Sequence, residues 1–350
     1  MIIGACGYGA TGSSVLTDLL KEYDDIQVFD SFEFVMSYRV DGLEDLEFHL
    51  MKQYAKNLSG DYAIKRFLEQ AKCYKTPMIN KPCKGRIYYK LSQEFIDEIV
   101  QVRFKGVETA DMLTGNIIRN IFAFASKKIV MPKIVEKITK KPSFIWPCRT
   151  LYYSVKPEEF YNSAKRYTHK ILEAMGADLN KPICLDQPFA GNNPAQSFPF
   201  FEDPYAIVID RDPRDLYLAS KYSKDPNFKF VPKDDVKAFI IYYKNMRNKV
   251  ELNERILNLK FEDLIYKYDE SIKTIEEFLH LGEHKHPKEF FDPSRSINNT
   301  QLSRLHPEDE NAIKMIEREL NEFLYPFEQY DNVIFNGKPF DGAARKGFEQ

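Results

Sequence analysis

The alternation of apolar and polar positions opens on a short buried strand, residues 1–6 (MIIGAC), and a glycine-bearing loop, residues 7–12 (GYGATG). Residues 13–23 then place Val15, Leu16, Leu19 and Leu20 on one helical face, and residues 26–29 form a second strand. Strand, glycine loop, helix and strand in this order begin a parallel α/β sheet. The pattern then turns helical. Segments near 44–57, 61–74, 92–103, 111–130 and 157–176 carry apolar residues at helical spacing, punctuated by Pro77, Pro82, Pro132, Pro142 and Pro147. Strands resume at 183–185, 206–209 and 256–259, with helices near 214–223, 234–255, 269–280 and 308–325. The fold expected is α/β: a central parallel sheet with a P-loop-like phosphate-binding loop, flanking helices and a large, mainly helical insertion at about 40–180. No repeat or long polar linker divides the chain, so 1–350 is read as one domain.

Composition narrows the class. The 350 residues are 43% hydrophobic and carry 21 Tyr and 27 Phe, which suits a packed core and argues against disorder. Fifty Lys+Arg against 52 Asp+Glu lack the basic excess of a dedicated nucleic-acid binder. Five cysteines without a CxxC pair point to a reducing compartment rather than a disulfide framework or a zinc site. The N-terminus lacks a charged region followed by an apolar one, and no apolar stretch approaches the length of a membrane span. A soluble cytoplasmic protein is expected.

The glycine loop admits two chemical readings. Gly7, Gly9 and Gly12 spell G-x-G-x-x-G, and Asp30 ends the second strand, as in a dinucleotide-binding fold. That reading predicts an NAD(P)-dependent oxidoreductase. The same residues form a degenerate phosphate loop: Gly7, four residues, Gly12, then Ser13 where a Walker loop has Lys, then Ser14. Both readings rest on backbone N–H groups at a helix start, which attract phosphate. The bland alternative is a tight strand-to-helix turn with Ser13 as N-cap.

A second motif separates them. Residues 205–220 read YAIVIDRDPRDLYLAS, a strand running into Arg211, Asp212, Pro213, Arg214 and Asp215 before a helix. A third stretch, from residue 258, contains Phe261, Glu262, Asp263 and Leu264 and ends on Phe278 and Leu279. With the glycine loop, these blocks resemble the sulfotransferase family that uses 3′-phosphoadenosine 5′-phosphosulfate (PAPS), in its bacterial, carbohydrate-type branch. They cover about a third of the chain. The resemblance implies that Thr11, Gly12, Ser13 and Ser14, in a loop shared with Gly9 and Ala10, cradle the 5′-phosphate. It implies that Arg211 grips the 3′-phosphate, with a hydroxyl eight residues on. That position is Ala219 here, and the serine is Ser220. The family's loop cation is replaced by Ala10, so the charge that steadies the leaving phosphate must come from elsewhere, with Arg39, Lys65 and Lys81 as candidates. PAPS is the implied co-substrate, and no metal is implied.

The acceptor hydroxyl needs a base. Glu33 stands where some members of the family carry a glutamate, flanked by Phe32 and Phe34, which would raise its pKa. The alternative is a carboxylate paired with Arg39. His49 is the second candidate base. Asp186-Gln187-Pro188 and Asn192-Asn193-Pro194 follow a strand, and serve either as ligand contacts or as turn residues. Ser296, Asn299, Thr300 and Gln301 resemble a nucleotide-side segment of bacterial relatives, and Arg345-Lys346-Gly347 resembles a basic element of cytosolic ones. Between 127 and 149, seven basic residues face one acid. That segment fits docking of an anionic glycan, or of a glycolipid acceptor by peripheral membrane contact, and equally an ordinary solvated helix face. The function expected is sulfuryl transfer from PAPS to a carbohydrate hydroxyl. The rivals are the oxidoreductase and a non-catalytic nucleotide-binding module, the latter suggested by Ala10.

Overall fold

The computed structural model describes residues 1–54, 57–76, 81–106, 121–122, 125, 134, 137–138, 140, 149–223, 230–248, 253–330 and 339. The strands are β1 (Ile2–Gly7), β2 (Gln27–Phe29), β3 (Val102–Gly106), β4 (Arg149–Tyr153), β5 (Ile183–Asp186), β6 (Pro204–Asp210) and β7 (Ile256–Lys260). Five of them form one sheet in the order β2-β5-β1-β6-β7, every pair parallel. The longer helices are α1 (Ser14–Leu20), α2 (Asn57–Cys73), α3 (Gly85–Ile99), α4 (Phe160–Met175), α5 (Pro213–Tyr222), α6 (Val236–Arg247), α7 (Tyr268–Leu279) and α8 (Glu310–Glu319). The α/β class and the central parallel sheet read from the sequence are both present.

A parallel sheet covered on both faces needs strands that are apolar on both sides. Alternate residues divide accordingly. Ile2, Cys6, Ile183, Leu185, Ala206 and Val208 face the layer built from α2, α3 and α4. Ile3, Ala5, Cys184, Ile207 and Ile209 face Leu16, Leu19 and Leu20 of α1 and Ile272, Ile275 and Leu279 of α7. Much of the aromatic content is spent in the first layer, where Phe67, Phe95 and Tyr167 meet ring to ring. A third cluster joins α5, α6 and α8 through Leu216, Leu218, Phe239, Tyr243, Ile313 and Ile316. Among the described residues, no helix is long and apolar enough to cross a membrane.

The helical reading of 92–103 runs too far. Helix α3 ends at Ile99, Val100 turns extended, and β3 pairs antiparallel with β4 as a two-stranded ribbon. The pairing partner lies far along the chain, and Ser154 caps the helix end by donating to the Ile99 carbonyl. Neither cause is visible in the local pattern. Most of the helix read at 111–130, Cys148, and most of the basic 127–149 segment lie outside the described residues, as does 345–347.

One buried acid ties the end of α1 to a distant loop. Glu22 is fully buried. Its carboxylate accepts the backbone N–H groups of Phe290 and Phe291 at 2.9 Å each, that of Lys288 at 3.2 Å, and His284 Nε2 at 2.6 Å. Glutamine keeps one acceptor oxygen and turns an NH2 toward a donor. Glu22→Gln is therefore expected to cost about 2 kcal/mol, read as a lower urea midpoint at unchanged slope.

Candidate functional site

The loop leaving β1 turns sharply by taking left-handed backbone at Gly9 (φ 83°), Ala10 (φ 57°) and Gly12 (φ 91°). Space is as restrictive as dihedral angle. A Cβ on Gly12 would lie 2.7 Å from the Phe261 ring, and one on Gly7 would lie 2.5 Å from Thr11 Oγ1. Ala10 adopts the left-handed region without glycine's freedom, a local strain of the kind that surrounding structure must hold.

Three contacts hold it. Thr11 is buried and its Oγ1 accepts the Tyr8 N–H at 3.2 Å, closing the loop on itself. Gln187, at the carboxyl end of β5, accepts the Gly7 N–H through Oε1 at 3.3 Å and donates from Nε2 to Ser13 Oγ at 2.8 Å. Arg211, at the carboxyl end of β6, donates from Nη1 to the Ala10 carbonyl at 3.3 Å. Its Nη2 donates to the Asn299 carbonyl at 2.5 Å, and its guanidinium carbon lies 5.1 Å from the centre of the Phe261 ring. Arg211 Nε is buried without a partner among the described residues.

Sheet order explains why these groups meet. From β1 the chain passes through α1 to β2 on one side of the sheet, whereas from β6 it passes through α5 and α6 to β7 on the other. Neighbouring strands whose connections part in this way leave a crevice at their carboxyl ends, the usual ligand site of open α/β sheets. The glycine loop and Arg211 stand on its two sides. The order also bears on Asp30. In a dinucleotide-binding sheet β2 neighbours β1, so an acid ending β2 reaches the ribose. Here β5 lies between them, and Asp30 is ion-paired with Lys21 Nζ at 2.6 Å.

Most of the R-D-P-R-D element builds the scaffold. Asp212 is fully buried, caps α5 by accepting the Arg214 N–H at 2.8 Å, and accepts the Tyr325 N–H at 2.7 Å. Arg214 returns to Asp212 at 2.8 Å and reaches Glu317 at 3.1 Å. Asp215 accepts the N–H groups of Gln301 and Leu302 at 2.8 and 2.7 Å. Glu262 accepts the Asp212 N–H at 2.9 Å, while its Oε2 has no partner among the described residues. Burial, reinforced by Asp212, pushes the Asp215 carboxyl up to about 7 and that of Glu262 up to about 8.

A second layer steadies Tyr8 of the loop. The Arg247 guanidinium lies 4.2 Å from the Tyr8 ring centre and 3.4 Å from that of Tyr243. Its Nε donates to Asp210 at 3.0 Å, and Lys260 pairs with the same acid at 3.0 Å. Burial opposes the charge on Asp210, yet Arg247 and Lys260 hold its carboxyl below the usual range.

The residues singled out from sequence fare unequally. Gly9, Ala10, Gly12, Ser13 and Arg211 come together at the crevice. Thr11 faces into the loop instead of outward. Ser14 begins α1 and is half-buried. Ser220 is fully buried and donates to the Leu216 carbonyl one turn back, so it does not supply a hydroxyl beside Arg211. Ala219 packs at the edge of the α5, α6 and α8 cluster, as does Ala10. Glu33 is exposed, with no hydrogen bond or ion pair among the described residues. Phe34 beside it is buried, so the aromatic flank turns away from the carboxylate. The Phe34 N–H donates to the Asp186 carbonyl at 2.7 Å, which holds this segment at the carboxyl end of β5.

Arg39 donates to Tyr74 Oη at 3.0 Å and does not pair with Glu33. Lys65 pairs with Asp61 at 2.5 Å, and Lys81 donates to the Thr76 carbonyl at 3.0 Å. His49 sits in a π-helical turn (Phe48–Lys52) and lines an open depression with Ser59, Tyr62 and Arg66. Burial, then Arg66, lowers its pKa. Of the polar cluster after residue 295, Asn299 meets Arg211 through its carbonyl, and the Thr300 and Tyr266 hydroxyls lie 2.5 Å apart. The structural roles of Asp210, Arg247 and Glu262 were not readable beforehand. Asp210 gave a signal by its position at the strand end just before Arg211, and Glu262 by its place in the third sequence block.

Among proteins of known family, no family model matches this chain, and neither does any curated protein. A solved sulfotransferase domain from the curacin biosynthetic pathway aligns over 81% of this chain and 74% of its own, at 11% identity and a TM-score of 0.35. A likeness of that strength assigns neither family nor activity. What the fold and the crevice define is an α/β protein with a strained glycine loop facing a buried arginine at a sheet switch point.

Proposed function

We propose that the chain is a sulfotransferase that moves the sulfuryl group from PAPS to a hydroxyl of a carbohydrate acceptor, free or on a glycolipid. The observation that carries the reading is the meeting of the Arg211 guanidinium with the glycine loop, 3.3 Å from the Ala10 carbonyl, at the crevice between β1 and β6. Two anionic groups of one nucleotide need a cradle of backbone N–H groups and a guanidinium fork a short span apart, which this crevice offers. The sequence blocks around residues 7–14, 205–220 and 258–281 supply the resemblance to PAPS-dependent enzymes.

In this reading Glu33 takes the proton of the acceptor hydroxyl. The acceptor oxygen forms a bond to sulfur as the bond from sulfur to the 5′-phosphate oxygen breaks, leaving adenosine 3′,5′-bisphosphate. Negative charge grows on that phosphate oxygen, and the loop donors stabilise it. An exposed Glu33 is accessible to an acceptor arriving from solvent. Glu33→Gln is expected to slow transfer about a hundredfold with the bisphosphate dissociation constant unchanged. Loss of both together would make Glu33 a structural residue.

A non-catalytic nucleotide-binding module is favoured by one observation: Arg39, Lys65 and Lys81 are engaged away from the loop that lacks a cation at Ala10. Two measurements decide. Thermal stabilisation by adenosine 3′,5′-bisphosphate and not by NAD supports the nucleotide assignment, and the reverse sinks it. Labelled PAPS incubated with a glycan panel then separates transfer from binding alone.

A further inference from the structure

Gln187 is the residue whose hydrogen bonds have a direction fixed by their partners. It holds left-handed backbone (φ 52°), and its own N–H donates to the Ala5 carbonyl at 2.9 Å. Its segment laps closely over the loop, since a Cβ on Gly191 would lie 2.5 Å from the Gly7 carbonyl oxygen. The Gly7 N–H can only donate, so the amide atom facing it at 3.3 Å is the oxygen. The amide nitrogen must then face Ser13 Oγ, at 2.8 Å, and donate to it. Ser13 is thereby committed to accept on that side. It gives no side-chain cap to α1, and no described residue takes its hydroxyl hydrogen.

We propose that Gln187 is a positioning residue that makes Ser13 a hydrogen-bond donor toward an anion bound at the glycine loop. Without Gln187 the Ser13 hydroxyl is free to rotate and present its lone pairs, which repel a phosphate oxygen. With Gln187 in place, the hydrogen is the part of the hydroxyl left for the ligand. The inference deepens the reading above and rests on it for the identity of the anion, a nucleotide phosphate. It explains why an amide, and not an acid, suits this strand end.

The test is a double-mutant cycle on the full chain, titrated with adenosine 3′,5′-bisphosphate by calorimetry. Gln187→Met and Ser13→Ala are each expected to weaken binding about tenfold, and the double variant also about tenfold, because both remove the same donor. Additive losses, about a hundredfold in the double variant, would overturn the proposal, as would unchanged affinity in Ser13→Ala. Gln187→Glu keeps the acceptor for Gly7 and reverses the bond to Ser13. Its loss should be larger in the wild-type background than in Ser13→Ala, where only its charge acts. Equal losses in both backgrounds would count against the proposal and leave a plain brace. If the wild type fails to bind the bisphosphate, the sulfotransferase reading falls, and the same cycle is run with inorganic pyrophosphate. Coupling there sustains the role of Gln187, and failure to bind either ligand ends both.

Discussion

Arg211→Ala is expected to weaken adenosine 3′,5′-bisphosphate binding about a thousandfold, the largest loss from any single side chain of the crevice. Two donors of its guanidinium already hold the Ala10 and Asn299 carbonyls, so the fork is fixed before a ligand arrives. Its position over the Phe261 ring keeps it out of bulk water. A charge-assisted bond to phosphate in such a place contributes about 1.5–3 kcal/mol, and two of them account for about three decades of affinity. Arg211→Lys keeps the charge but cannot span both carbonyls, and about a thirtyfold loss is expected. The fold should survive in Arg211→Ala near pH 6.5, because Asp215 and Glu262 are already largely proton-bound there and leave little unpaired charge behind. Thermal melting run beside the titration checks this. A variant that melts normally and binds like wild type would remove Arg211 from the ligand site and leave it a loop clasp.

The sheet was legible because each buried strand is an apolar run between turn signals. All five runs read from the sequence, from 1–6 to 256–259, appear as β1, β2, β5, β6 and β7. Their order was not, since the pairing of Ile2 with Ile183 and Pro204 depends on crossovers that local pattern does not encode. The same limit separates what was read of the site from what was missed. Gly12 and Arg211 could be found because a tight turn and a strand-end cation each need a particular residue type. Ser220 misled because a serine inside a helix can satisfy itself one turn back. Gln187 was legible only as a polar residue near a sheet edge, and its direction emerged once Gly7 and Ser13 stood on either side of it. Of the second layer around Tyr8 only Asp210, at a strand end, left a trace, because Arg247 sits on a helix whose apolar pattern answers to core packing.

Stability is expected to fall by about 2–4 kcal/mol between pH 6.5 and 8.5. The sign follows from Asp215 and Glu262. Both are raised in the folded chain, to about 7 and about 8, against ordinary values of 3.8 and 4.5. Between those limits the folded state binds more protons than the unfolded one, so raising the pH favours unfolding until the folded groups have ionised. Glu44, half-buried beside Ser197 and raised to about 7, acts in the same direction. Asp210 and Glu98, whose carboxyls are lowered, are ionised in both states throughout this window and add no slope. His49, lowered by burial, has the opposite sign, and its effect lies below its ordinary value of 6.5 and fades just above it, at the lower edge of this window. Urea unfolding at pH 6.5, 7.5 and 8.5 measures the fall. Glu262→Gln keeps an acceptor for the Asp212 N–H and removes one titrating group. Its profile should therefore be flatter by up to about 1.4 kcal/mol per pH unit above 7. A wild-type profile that is level or rising across the window would show that these acids ionise at ordinary pH. The same protons bear on the ligand. Ionised Asp215 and Glu262 beside Arg211 weaken the field that an incoming phosphate feels, so binding and stability should decline together as the pair titrates.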